Sequence, residues 1–105
     1  MIFDSPSVDT LRKRLAHTDP RVRRIALFDF LDLQDEALLP DLIERLERDP
    51  DRALRAEAAR ALGGWSRADV VAALDGALRD VPPVCDAAAQ ALIETRTSLT
   101  SARRA

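Results

Sequence analysis

Few side chains in this sequence carry reactive or ligand-binding chemistry. They are His17, Cys85, Trp65 and a cluster of bases comprising Arg12, Lys13, Arg14, Arg21, Arg23 and Arg24. General acid–base catalysis needs a histidine fixed against a carboxylate or a nucleophile, but His17 stands in "AHTDP", where a solvated turn residue is expected. Cys85 follows Pro82-Pro83 in a first helical turn, whose dipole favours a thiolate. With no histidine or second cysteine beside it, a passive, partly buried thiol is the expectation. One cysteine and one histidine are too few for a zinc site, so neither a metal nor a cofactor is expected. Trp65 falls in register with Leu33, which favours a semi-buried plug over an exposed anchor. The basic cluster is the one hint of nucleic acid. Against it stand Asp9, Asp19 and Asp29, a formal net charge of −2, and the lack of a glycine-rich phosphate loop or an aromatic stacking set.

Those residues must be held by helices. The chain has 105 residues, enough for one domain, and is 47% hydrophobic and 32% charged with only 4% aromatic. This balance of Ala, Leu, Arg, Asp and Glu suits packed helices. A single cysteine excludes an internal disulfide and fits a reducing compartment. No run approaches the roughly 18 to 20 apolar residues of a membrane span, and "MIFDSPSV" lacks the basic and long apolar regions of a signal peptide. The expectation is a cytoplasmic protein away from membranes.

Three segments align: "LRKRLAHTDPRVRRIALFDFLDL", "LIERLERDPDRALRAEAARALGGW" and "LDGALRDVPPVCDAAAQALIET". Val22, Leu54 and Val84 correspond, as do Ala26, Ala58 and Ala88, and Phe30, Leu62 and Leu92. Upstream, Leu11, Leu42 and Leu74 match, and so do Leu15, Leu46 and Leu78. A period of about 30 residues made of two helices marks a solenoid, in which each hairpin buries its apolar stripe by stacking on the next.

Local chemistry sets the boundaries. Ser7 caps a helix over 8–16, and Asp19 caps a second over 20–33 with Pro20 in its first turn. Asp35 and Glu36 open a third, to Arg48, in which Pro40 either follows a start at Leu39 or kinks the helix. Asp49 or Asp51 caps the fourth, which Gly63-Gly64 ends. Ser66 caps a fifth to about Arg79, and Pro82-Pro83 opens a sixth that frays beyond Thr95 into a polar, flexible tail over 96–105. The second helix is apolar nearly all round, so Phe28 or Leu27 needs a further cover, for which Ile2 and Phe3 are the nearest candidates.

The chain resembles HEAT-like repeats of the kind found in phycobilisome lyase subunits and in many small bacterial proteins. The resemblance rests on Asp49, Pro50, Leu54, Arg55, Ala58, Ala61, Leu62 and Gly63 and covers residues 11–93. It implies a hydrogen-bonded ladder in which Asp49 and Arg55 are structural. Because His17 and Arg79 stand at the other aspartate positions and Cys85 replaces the third arginine, the ladder is expected to be complete only in the middle repeat.

The expected fold is all-α, a right-handed solenoid of three hairpins over 8–33, 36–64 and 67–95, with the second to fifth helices forming the core. A short array offers a patterned surface and no deep pocket, so the expected function is non-enzymatic protein binding by an adaptor or accessory subunit. The resemblance places the first, third and fifth helices on the inner face, with Arg12, Asp41, Glu44, Arg45, Arg48, Asp69 and Arg79 as contact residues. Two other readings accompany it: tetrapyrrole or bilin attachment involving Cys85 or His17, and nucleic-acid binding by the first hairpin. The Ala-rich run "DAAAQALIE" reads either as an end cap or as a surface for self-association through the last helix.

Overall fold

The computed structural model describes the backbone over residues 7–104 and side chains over 7–95. The elements are α1 (Val8–Leu15), α2 (Pro20–Leu33), a 3-10 turn (Glu36–Leu38), α3 (Leu39–Arg48), α4 (Arg52–Leu62), α5 (Ala68–Ala77) and α6 (Pro82–Arg104). Ser7, Asp19 and Asp51 accept hydrogen bonds from the amides of Thr10, Arg21 and Ala53, each satisfying an otherwise unpaired first-turn N–H. Asp35 caps the 3-10 turn, and α3 starts at Leu39, so Pro40 lies in its first turn and no kink is required.

Three boundaries differ from the sequence expectation. Helix α5 begins at Ala68 behind Arg67 with no side-chain cap from Ser66. There the Asp69 carboxylate accepts from the Val70 amide and the Arg67 guanidinium instead. The same helix ends at Ala77, two residues before Arg79. Helix α6 continues past Thr95 to Arg104, because "TRTSLTSARR" contains neither glycine nor proline to stop it. The proposed cover by Ile2 and Phe3 lies outside the described residues.

Helices α1, α3 and α5 pack side by side as one layer and α2, α4 and α6 as the other, with the hairpins α1/α2, α3/α4 and α5/α6 bridging them. Leu11, Leu42 and Leu74 are fully buried at equivalent places, and so are Ala26, Ala58 and Ala88. The period lapses at its edges: Val22 and Leu92 are half-buried, and Leu78, just past the end of α5, is exposed.

All six helices supply core residues, rather than the second to fifth alone, and the most extensive packing is between α4 and α6. Ala56, Ala58, Ala59 and Ala61 on α4 and Ala87, Ala88 and Ala91 on α6 are buried. Three of the four alanines in the last-helix run therefore belong to the core, not to a free end surface. Gly63, just past the end of α4, packs closely against α6. A Cβ there would stand 3.2 Å from Ala91 Cα and 2.6 Å from Glu94 Oε2. Gly63→Ala is thus expected to lower stability by about 1–2 kcal/mol, read as a shift of the urea midpoint; an unchanged midpoint would mean the two helices part without cost. The neighbouring Gly64 carries the turn with φ +91°, and its amide donates to the buried Thr95 hydroxyl, which in turn donates to the Ala91 carbonyl. Trp65 is half-buried, its ring 6.3 Å from that of Phe30.

Candidate functional site

The turns within the three hairpins are joined to one another by a series of arginine–carboxylate bonds. Arg23 donates through Nε and Nη2 to both oxygens of Asp49, at 2.8 and 3.0 Å, and through Nη1 to the carbonyls of His17 and Thr18. Arg55 repeats the pattern one hairpin on, with Nε and Nη2 to Asp80 at 2.9 and 3.1 Å and Nη1 to the Asp49 carbonyl. Each arginine thus grips the turn of its own hairpin and the carboxylate of the next. The planar guanidinium fork matches this two-oxygen geometry.

The ladder therefore has two rungs and is not confined to the middle repeat. Its second carboxylate is Asp80, where the alignment put Arg79. One residue separates Asp80 from the start of α6, whereas two separate Asp49 from α4, so the count slips by one. His17 occupies the first aspartate position and reproduces part of its role. Its Nδ1 accepts from the Asp19 amide as Asp49 Oδ1 accepts from the Asp51 amide. His17 thus helps to close the α1–α2 turn as Asp49 helps to close the α3–α4 turn.

Two Arg55 hydrogen bonds hold the Asp80 carboxyl below the ordinary carboxylate range, with further help from the Val81 amide. A depressed folded-state pKa contributes stability that is present above the unfolded value, near about 3.9, and lost as pH falls through the folded one. Urea midpoints are therefore expected to fall in the acid range below about pH 4, and Asp80→Asn to flatten that limb while lowering stability at neutral pH. An acid limb unaltered by the substitution would place the linkage elsewhere.

The expected contact residues divide into two groups. Arg12 bonds to Asp41 at 3.0 Å and to the Ala37 carbonyl, tying α1 to α3. Asp69 pairs with Arg67, which also reaches Glu36. Arg45 is not an exposed contact residue: it is drawn inward to Asp49 at 3.3 Å, because that buried carboxylate lies one turn along its own helix. Glu44, Arg48 and Arg79 are exposed and make no side-chain bond among the described residues. Between α3 and α5 runs a shallow groove of about 270 Å³, lined by Leu46, Glu47, Ala73, Gly76, Ala77 and Asp80. The groove is not evident from the apolar periodicity of the helices. Its signal is the spacing of small residues at 73, 76 and 77, one face of α5 with little side chain on it.

Five of the six bases in the cluster have a carboxylate partner within the chain, although Arg21 and Arg24 stay exposed. Arg12 pairs with Asp41, Arg14 with Asp29, Arg21 with Asp19, Arg23 with Asp49 and Arg24 with Glu57. Lys13 alone of the six lacks a carboxylate partner among the described residues. Cys85 is half-buried, its thiol 3.4 Å from the Pro82 carbonyl. No group of three or more His, Cys, Asp or Glu among the described residues is arranged to hold a metal ion. No described helix is long and apolar enough to cross a membrane.

The sequence matches the family described as HEAT repeats over residues 8–93, from the start of α1 to about the middle of α6. The chain belongs to that family. No curated protein and no solved structure matches it significantly. As a HEAT-repeat protein it is a short all-α solenoid, and the paired rungs are its inter-repeat ladder.

Proposed function

We propose that this HEAT-repeat chain is a non-enzymatic protein-binding module whose partner lies along the face of α1, α3 and α5. The observation that carries the reading is the α3/α5 groove, with its apolar floor of Leu46, Ala73 and Ala77. Glu47 on its lining, and the exposed Glu44, Arg48 and Arg79 elsewhere on α3 and just after α5, have no side-chain bond within the chain, among the described residues. The neighbouring charges Arg12, Asp41 and Asp69 are already paired, and they brace the helices instead of offering contacts. An apolar floor with a polar, charged rim is the anatomy of a protein-binding patch. Five of the six bases of the first hairpin are paired with carboxylates of the chain, which weakens the support for nucleic-acid binding.

Gly76 provides the test, because a Cβ placed on it meets nothing within 4 Å. Gly76→Leu is expected to keep or raise stability, since glycine inside a helix costs about 0.5–1 kcal/mol relative to alanine. It also fills the groove. Crosslinking mass spectrometry in the native host, with a photoreactive residue at position 48, should yield a discrete partner with the natural chain and lose it with Gly76→Leu. An identical crosslink pattern from the two chains would refute the groove as the binding face.

A further inference from the structure

The exposed side of α2 carries a second surface with its own charge pattern. Ile25, Phe28 and Leu31 remain 57%, 51% and 46% exposed on three successive turns. Leu27, by contrast, is buried against the array. Beside the stripe, Leu27, Phe28, Leu31 and Ala61 form the apolar part of a cleft of about 270 Å³ between α2 and α4. Single exposed apolar residues are ordinary, but three aligned large ones on one helix mark an interaction surface.

The charges along α2 indicate what covers it. Its exposed first turns carry Arg21 and Arg24, and its last turns carry Asp32, with Asp29 half-buried against Arg14. Arg21 is bonded to Asp19 but remains largely exposed, and Arg24 stands 3.5 Å from Glu57. Asp32 has no side-chain partner among the described residues. Phe28 lies midway between Ile25 and Leu31 and midway between Arg24 and Asp32. A second copy of α2 laid antiparallel across the first, with the twofold axis at Phe28, sets the Arg21/Arg24 turns of each copy beside the Asp32 turn of the other. The two helix dipoles then also oppose. A parallel arrangement would set Arg beside Arg and Asp beside Asp, which is unfavourable.

We infer that the chain forms a twofold dimer through antiparallel contact of α2, using the Ile25, Phe28 and Leu31 stripe. This surface is separate from the α3/α5 groove, so neither reading depends on the other. A 14-residue helix is about 21 Å long, too short to bury the roughly 800 Å² per partner of a standard stable interface. The dimer is accordingly a weak one, in the size class of transient encounters.

Sedimentation velocity on the full chain over about 5 µM to 1 mM tests this. The expected result is a concentration-dependent shift from the 11.6 kDa monomer to a dimer, abolished by Phe28→Asp. Asp32→Arg and Arg24→Asp should each weaken self-association by at least about tenfold. An equimolar mixture of these two variants should recover it, because each then sets opposite charges beside the other. Three results would overturn the inference. The first is a monomer throughout the range; if Phe28→Asp also loses thermal stability, the stripe has a cover within the chain. The second is a dimer indifferent to Phe28→Asp. The third is failure of the mixture to associate when both variants give the helical circular dichroism of the natural chain, which excludes the antiparallel register.

Discussion

Asp49→Ala is expected to lower the free energy of unfolding by about 3–5 kcal/mol, against a total of roughly 5–15 kcal/mol for a chain of this size. The Asp49 side chain has no solvent exposure and accepts from Arg23, from Arg45 and from the Asp51 amide. Its removal leaves the Arg23 guanidinium, itself 6% exposed, without its counter-charge in a site water barely reaches. Such a stranded charge costs far more than the intact pair contributes. Arg23→Ala should be the milder change, because Asp49 then keeps Arg45 and the Asp51 amide. Arg55→Ala should be milder again, since its pair with Asp80 is about one-fifth exposed on each side and partly screened. Urea unfolding at neutral pH should return that order. A loss below about 1 kcal/mol for Asp49→Ala would show that the ladder fixes register without stabilising the stack.

Ala88→Glu is the second substitution with a large effect, and its meaning depends on the fold. Were the last helix a free end surface, a glutamate there would interrupt self-association and leave the monomer intact. In the structure Ala88 is fully buried, in the layer where α6 packs on the alanines of α4. A carboxylate placed there must displace the side chains that enclose it and lose its hydration. The expected loss is about 4 kcal/mol or more, read as a collapsed thermal transition and lost helical circular dichroism. Gln90→Glu, on the exposed side of the same helix, should be nearly neutral. Equal tolerance of the two substitutions would contradict the α4/α6 interface.

The helical period survives because each hairpin must bury the same stripe, so Leu11, Leu42 and Leu74 recur in sequence and in space. Cap residues were legible too, since Asp19 and Asp51 act on amides two residues away. The ladder was legible only in part. Arg55 could be named from its place in the repeat, but its partner is 25 residues on, and a one-residue slip in the α5–α6 link exchanged Arg79 for Asp80. The alanines of α6 were ambiguous for a similar reason: small side chains show that something approaches closely without showing what. Arg45 was misjudged because its charge gives it the profile of a surface residue, while the acceptor that draws it inward is the buried Asp49.

By itself the sequence determined the all-α character, the three-hairpin repeat, most helix starts and the positions of the core leucines, since all of these follow from local propensity and periodicity. Only the tertiary structure decided which charges are already engaged and which remain exposed. That outcome depends on which turns and helices the stacking brings within about 3 Å of one another. The same stacking leaves Gly76 over an open groove and Gly63 against Ala91, two glycines that local sequence alone does not distinguish.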